Sequence, residues 1–179
     1  MKTLILHGWS GSDFPHWQSL LAGELARDYG TVSFPLLKDK DAPIKEEWMR
    51  QAKEILLDFR PDVVVCHSLA NILWFHLCHE MRIEGVKKLF LVAPPRLTCK
   101  IPELSTFFPI EVPKELYAQS TTLITSTNDP YMDESEALML RDALGEGIEH
   151  IVLQDAGHIN AASGFGQWDE IVQRVKNSI

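Results

Sequence analysis

A serine, an aspartate and a histidine each follow a predicted strand of this chain. Ser68 comes three residues after the β-branched run at residues 63–65, Asp129 follows the fifth predicted strand, and His158 follows the last one. Polar residues at the carboxyl ends of parallel strands meet at one edge of a sheet. A serine hydroxyl is a weak nucleophile unless a histidine takes its proton and a carboxylate orients that histidine. The order Ser68, Asp129, His158 therefore predicts a nucleophile, an orienting acid and a general base.

No loop residues separate the third predicted strand from the helix that follows it. The stretch CHSLA at residues 66–70 takes the place of the G-x-S-x-G pattern, in which small residues let a strand turn sharply into a helix. Here Cys66 and Ala70 are the small residues, so we expect a tight turn that presents the Ser68 hydroxyl at the top of the sheet. Taken singly, Ser68 is equally well interpreted as a helix cap and Asp129 as a turn residue. The catalytic interpretation depends on all three residues occurring in order.

Two backbone N–H groups are candidates for holding an oxyanion. One belongs to Leu69, at the start of the helix after the serine, and the other to Trp9, in the loop HGWSG at residues 7–11 that follows the first strand. Gly8 permits a close approach of that loop to the serine. Such donors stabilise the charge that develops on the carbonyl oxygen in acyl transfer. We therefore expect an oxyanion hole made by Trp9 and Leu69.

The pattern of strands and helices predicts how these residues are positioned. Short apolar runs predict strands at residues 4–6, 32–34, 63–65, 89–92, 123–124 and 151–153. Helical periodicity occurs between or after them, at residues 17–25, 44–59, 70–81, 137–144 and 168–175. This alternation predicts one α/β domain over residues 1–179, with about six mostly parallel strands and helices on both faces, a three-layer αβα sandwich. Residues 94–116 contain five prolines, and we expect a long loop there with at most short helical turns.

Composition argues against several classes of function. A net charge of −8 disfavours nucleic acid as a partner, and no window approaches the roughly 20 apolar residues that a membrane span needs. The apolar start of the chain is too short for a signal peptide, so we expect a cytoplasmic protein. Three cysteines without paired spacing indicate buried thiols. His76 and His79 could share a helix face, but no companion cluster supplies further ligands, so we predict no metal and no cofactor.

Aromatic residues near the predicted strand ends are candidates for a substrate pocket. They are Trp9, Trp17, Phe107, Phe108 and Tyr131. Large aromatic side chains are more often part of a core, so this assignment is the weakest of the site predictions.

Several sequence blocks resemble a known family. They are HGWSGS with HWQ at residues 16–18, CHSLA, LVAPP at residues 91–95, TSTNDPYM at residues 125–132 and GHINAASGFGQW at residues 157–168. In order and spacing they resemble the small serine hydrolase family of α/β-hydrolases, which includes retinoblastoma-binding protein nine and the bacterial YdeN-like proteins. The chain departs from the family at Cys66 and Ala70, where Ala or Gly is commoner, and at Asn128, where a second Asp is frequent.

The resemblance implies a minimal α/β-hydrolase with Ser68, Asp129 and His158 as its triad. We therefore expect a serine hydrolase that acts on small carboxylic esters through an acyl-enzyme on Ser68. A thioesterase, amidase or peptidase with the same triad is the first alternative. A non-catalytic, protein-binding member of the fold is the second, although nothing in the sequence indicates a protein partner.

Overall fold

The computed structural model describes residues 1–28 and 30–178, and within them the chain forms a six-stranded sheet. The strands are β1 (Lys2–Leu6), β2 (Thr31–Ser33), β3 (Val63–His67), β4 (Val86–Val92), β5 (Ala118–Ser126) and β6 (Glu149–Leu153). Their order across the sheet is β2-β1-β3-β4-β5-β6, and every neighbouring pair is parallel. The carboxyl ends of all these strands consequently lie along one edge.

Helices cover both faces of the sheet. They are α1 (Trp17–Arg27), α2 (Lys45–Phe59), α3 (Leu69–Glu80), α4 (Glu134–Leu144) and α5 (Asp169–Lys176). Buried residues of α2, α3 and α4 form one apolar cluster with the sheet, and those of α1 and α5 form another. The predicted three-layer α/β architecture is confirmed.

The central strands are apolar throughout because both of their sides are buried. Successive side chains of a strand point to opposite faces of a sheet. Val64 accordingly packs in the cluster with α2, α3 and α4, whereas Val63 and Val65 pack in the cluster with α1 and α5. All three are fully buried. This explains why the run shows no alternation of polar and apolar residues.

The register of the sheet brings the loop after β1 against the turn after β3. Leu6 is paired with Cys66, so Gly8 and Ser68, each two residues further along, come side by side. A Cβ atom built on Gly8 would lie 2.7 Å from the Cβ of Ser68 and 3.0 Å from the carbonyl oxygen of His67. Only glycine fits this contact without displacing the serine.

The segment that connects β4 to β5 contains one 3₁₀ helix, Pro102–Phe107, among the described residues and is otherwise irregular, as predicted. Side chains of α3 hold it in place. The ring nitrogen Nε2 of His76 donates to the carbonyl of Phe107 at 2.9 Å, and that of His79 donates to the carbonyl of Glu111 at 2.9 Å. The two histidines that could have suggested a metal site thus anchor this loop. Within the described residues no cluster of three or more metal-ligating side chains occurs.

The three cysteines are free thiols, but they are not equally buried. Cys66 and Cys78 lie in the core, where burial raises the pKa of both thiols, that of Cys78 to about 12. Cys99 is partly exposed, which corrects the expectation of a buried thiol there.

Among the helices of the described chain, none combines the length and the apolar character needed to cross a membrane.

Candidate functional site

Ser68, His158 and Asp129 form a continuous hydrogen-bonded chain at the carboxyl edge of the sheet. The Oγ of Ser68 lies 2.8 Å from Nε2 of His158, and Nδ1 of His158 lies 3.0 and 2.9 Å from the two carboxylate oxygens of Asp129. Because a carboxylate can only accept, Nδ1 carries the proton and Nε2 is left free to accept from the serine hydroxyl. The imidazole and the carboxylate are both buried, with 7% and 8% of their residue surface exposed.

The backbone at Ser68 has the strained geometry expected of a sharp strand-to-helix turn. Its φ and ψ are 54° and −123°, a conformation that residues other than glycine rarely adopt. The small residues Cys66 and Ala70 on either side are fully buried. The amide of Asn71 braces the turn, because its Nδ2 donates to the carbonyls of Ser68 and Val92 at 2.8 and 2.9 Å. Sequence reasoning did not identify Asn71, since an asparagine inside a helix gives no distinctive signal.

The two N–H groups predicted to face an oxyanion belong to residues that line the same cavity as Ser68. Leu69 is the first residue of α3, so its N–H has no partner within the helix. The N–H of Trp9 donates to no acceptor in the part of the chain that the structure describes. Both groups are free to bind a ligand oxygen, and their role as an oxyanion hole stays a prediction.

Two buried side chains hold the loop that carries Trp9. Nε2 of His7 accepts from the N–H of Leu37 at 2.9 Å, and its Nδ1 donates to the carbonyl of Gly8 at 2.7 Å. Burial lowers the pKa of His7, which keeps the ring in the neutral form that these two bonds require. Gln18 donates from Nε2 to the carbonyl of Leu6 at 3.0 Å, and its Oε1 accepts from the Ser12 hydroxyl at 2.7 Å.

Asn128 connects the loop of Asp129 to the loop of His158. Its Oδ1 accepts from the N–H of Gly157 at 2.6 Å and from the hydroxyl of Ser126 at 2.9 Å. This position drew attention in the sequence only because it is a departure from the family pattern. In the structure its amide links the residue before Asp129 to the residue before His158.

His67 is the neighbour of Ser68 in the sequence, but its side chain contacts His158. Its Nε2 donates to the backbone carbonyl of His158 at 3.0 Å. Complete burial lowers the pKa of His67 well below its ordinary value, so the ring stays neutral and adds no charge beside His158. Its contacts are therefore those of a residue that packs and orients, although its place next to Ser68 in the sequence could suggest a base.

A cavity of about 370 Å³ opens in front of Ser68. Trp9 and Tyr131, two of the predicted pocket residues, line it. The ring of Tyr131 lies edge-on to the ring of His158 at a centroid distance of 4.5 Å. The backbone N–H of Tyr131 donates to Asp129 Oδ1 at 2.9 Å. Tyr131 therefore contacts both His158 and Asp129.

The other predicted pocket residues do not line this cavity, which corrects their assignment. Trp17 is 1% exposed and packs in the core beneath α1, where its Nε1 donates to the carbonyl of Ile159 at 2.8 Å. Phe107 is fully buried in the other core cluster. Phe108 lines a separate depression. For Trp17 and Phe107 the physical reason is that burying an aromatic ring in the core removes more apolar surface from water than a place on a cavity wall does.

The fold matches several solved structures. The ydeN gene product of Bacillus subtilis superposes with a TM-score of 0.84 at 17% identity, over 99% of this chain and 97% of that one. A putative yden-like hydrolase from Pectobacterium atrosepticum gives a TM-score of 0.76 at 24% identity, over 99% and 91%. The esterase domain of a Rhodothermus marinus protein gives 0.67 at 14% identity, over 99% and 86%. At such identities these matches show a shared α/β-hydrolase fold.

Comparison at the level of sequence gives the family. No curated protein matches the chain with significance. The model of the family described as serine hydrolase, in contrast, matches residues 3–177, which is nearly the whole chain. The protein is therefore a member of the serine hydrolase family.

Proposed function

We propose that this serine hydrolase cleaves small carboxylic esters through an acyl-enzyme formed on Ser68. The observation that carries the proposal is the hydrogen-bonded chain from the Ser68 hydroxyl through His158 to Asp129, at the mouth of a cavity. A strained serine beside a carboxylate-oriented imidazole is the arrangement that activates a hydroxyl for acyl transfer.

In the first half-reaction the Oγ of Ser68 attacks the ester carbonyl carbon while Nε2 of His158 takes the hydroxyl proton. The carbonyl π electrons move to oxygen, and the N–H groups of Trp9 and Leu69 stabilise that charge. The oxyanion then collapses, the bond to the alcohol oxygen breaks, and His158 gives its proton to the departing alcohol. The acyl group remains on Ser68.

In the second half-reaction water takes the place of the alcohol. His158 removes one proton from the water as its oxygen attacks the acyl carbon, and returns that proton to Ser68 Oγ as the carboxylic acid leaves. In both halves Asp129 stabilises the imidazolium and fixes the ring orientation. The N-terminus of α3, where Ser68 is the cap residue, favours negative charge at the reacting carbonyl.

Two observations favour small esters as the substrate class. The cavity volume of about 370 Å³ is near the lower end of the range for small-molecule sites. One structural neighbour, from Rhodothermus marinus, is described as an esterase domain.

The proposal is tested by covalent labelling. A fluorophosphonate probe is expected to form an adduct on Ser68 in the wild-type protein and not in Ser68→Ala. Ser10→Ala is the matched control, because Ser10 lines the same cavity and is exposed to solvent but makes no hydrogen bond through its hydroxyl in the described residues. Ser68→Ala should lower kcat on the order of 10⁶-fold with circular dichroism unchanged.

A matched panel of ester, thioester and anilide substrates decides the leaving group. We expect the ester to be turned over fastest. A faster thioester would indicate a thioesterase, and a faster anilide would indicate an amidase or peptidase. Absence of both labelling and turnover in folded protein would identify a non-catalytic, protein-binding member.

A further inference from the structure

One wall of the cavity contains two residues whose side chains each carry a hydrogen-bond donor with no acceptor among the described residues. The two donors belong to His16, the cap residue of α1, and to Asn160, two residues after His158. We propose that these donors bind a neutral acceptor oxygen of the substrate beyond the scissile carbonyl, so that the preferred esters carry an ether, hydroxyl or amide oxygen near the reacting bond. This inference rests on the esterase function proposed above.

His16 is buried, with 5% of its surface exposed, and among the described residues only one of its ring nitrogens has a partner. Nδ1 accepts from the N–H of Gln18 at 3.2 Å, which caps α1. An imidazole nitrogen that accepts is unprotonated, so the proton of the neutral ring is on Nε2. Nε2 is buried and has no hydrogen-bond partner among the described residues. A buried donor left unpaired is costly, and such a group is retained where a ligand completes it.

The ring of His16 stays neutral at physiological pH. Burial lowers its pKa to about 4, with smaller contributions from nearby His158 and His7. The donor is therefore a neutral N–H group rather than a cation.

Asn160 uses the oxygen of its side-chain amide, and not the nitrogen, in its own turn. Its Oδ1 accepts from the N–H and the hydroxyl of Ser163, at 3.0 and 2.9 Å, which fixes the orientation of the amide. Nδ2 donates to no acceptor in the residues that the structure describes. Since Asn160 lines the cavity, this amide nitrogen is available to a bound substrate.

The two donors belong to segments that are joined directly. Trp17, the neighbour of His16 in sequence, donates from Nε1 to the carbonyl of Ile159, the neighbour of Asn160, at 2.8 Å. The backbone N–H of Trp17 also donates, to the carbonyl of Phe165 at 3.1 Å. Both His16 and Asn160 line the cavity that contains Ser68 and His158. They consequently form one wall beside the reacting centre.

The charge of the cavity indicates that the bound acceptor is neutral. Asp13 lines the cavity, and no lysine or arginine does so within the described residues. A carboxylate or phosphate on the substrate would face the charge of Asp13. Lys40, beside the cavity residue Ser10, has its Nζ bonded to the Ser10 carbonyl and paired with Asp41. Nε2 of His16 is covered in the free protein, so an acceptor must displace its neighbours slightly on entry, and side-chain adjustments of that kind are common on binding.

Isosteric substrate pairs measure the acceptor preference directly. On the acyl side, 4-nitrophenyl methoxyacetate is compared with 4-nitrophenyl butyrate. On the alcohol side, 2-methoxyethyl butyrate is compared with butyl butyrate. For each pair we compare the ratio of the two kcat/KM values in wild type with the same ratio in a variant. The intrinsic reactivity of the two esters is the same for both proteins, so it cancels in this comparison.

Two substitutions of His16 separate binding from capping. His16→Asn keeps an acceptor at about the position of Nδ1 and removes the donor at Nε2. His16→Gln loses the cap but places an amide N–H at about the position of Nε2. We expect His16→Asn to lower the acceptor preference about two- to tenfold in one of the pairs, the range of a single neutral hydrogen bond. His16→Gln should keep that preference while its melting temperature falls.

Asn160→Asp provides an independent check. A carboxylate still accepts from Ser163 but has no N–H, so the same preference should fall again. Unchanged ratios in both pairs for His16→Asn and Asn160→Asp would overturn the inference. So would a loss of preference in His16→Gln that His16→Asn does not show. Failure of the esterase proposal looks different, because then wild type would neither react with the fluorophosphonate nor turn over any of the four esters.

Discussion

Two sides of the cavity differ in how they are built. The side with Trp9, Ser68 and His158 consists of residues that follow strands within a few positions. The side made by the Pro-rich segment, residues 94–116, contributes the buried Pro95 and Leu104 and the partly exposed Cys99 and Ile101. The former is fixed by sheet register and by buried hydrogen bonds. The latter is held through carbonyl contacts to the histidines of α3.

The difference indicates a division of labour. Transition-state stabilisation needs atoms held to fractions of an ångström, and short turns on a buried sheet provide that. Recognition of a variable substrate tolerates looser walls, and loops provide those. Changes at the strand ends should therefore lower rate, whereas changes in the Pro-rich segment should shift preference.

The sharpest test of the strand-end side is Asp129→Asn. The amide can still accept from the N–H of Tyr131, so the turn should survive. It favours the wrong tautomer of His158, with the proton on Nε2, and kcat should fall about 10⁴-fold. Steady-state kinetics with one ester measures the loss. A loss of less than tenfold would argue that Asp129 is not the orienting acid.

Gly8→Ala tests whether the close contact between Gly8 and Ser68 is needed for activity. The new methyl group would approach the Cβ of Ser68 to 2.7 Å, which must displace the serine or the Trp9 loop. We expect kcat to fall about 10²- to 10³-fold, as for the loss of one oxyanion donor. Gly23→Ala is the matched control, because nothing lies within 4 Å of a Cβ there. Equal activity of the two variants would contradict the role of the close contact.

Acid should lower the free energy of unfolding of the chain through His16, the cap residue of α1. Its pKa is about 4 in the folded chain, against about 6.5 for an unperturbed histidine. Between these pH values the unfolded chain binds a proton that the folded chain does not, so the free energy of unfolding falls as pH falls. His16→Asn removes this contribution. Wild type should lose about 2 kcal/mol more than the variant between pH 7 and pH 5.

Urea unfolding of both proteins at the two pH values measures that difference. If the free energy of unfolding fell equally in wild type and His16→Asn, the prediction would be wrong. The folded chain would then bind a proton at His16 as readily as the unfolded chain does.

The smallest effect is expected for Ile101→Ala in the Pro-rich segment. Removing part of this half-buried side chain enlarges the cavity and should favour longer acyl chains by about fourfold for each added methylene accommodated. Turnover of 4-nitrophenyl acetate should change little. If kcat instead fell for esters of every acyl-chain length, the Pro-rich segment would be needed for catalysis itself. The proposed difference between the two walls of the cavity would then be wrong.

The same distinction explains what the sequence could predict. Ser68, Asp129 and His158 each stand just after an apolar run, so counting strands was enough to bring them to one edge. The pocket was harder, because a wall is decided by packing between distant segments. Trp17 and Phe107 could equally fill the core, and there they lie. His16 was noticed only within a family block, since an unpaired ring nitrogen leaves no trace in sequence.

The connection between β4 and β5 has a consequence for engineering new specificity. Parallel neighbours require the chain to return to the opposite end of the sheet, a distance of about 23 Å for a strand as long as β4. In this protein the Pro-rich segment makes that return journey with no α-helix. Fully extended, the segment could span several times that distance, so it has residues to spare for the crossing itself. Laboratory redesign can therefore shorten or exchange it, provided that the carbonyls of Phe107 and Glu111 still reach His76 and His79.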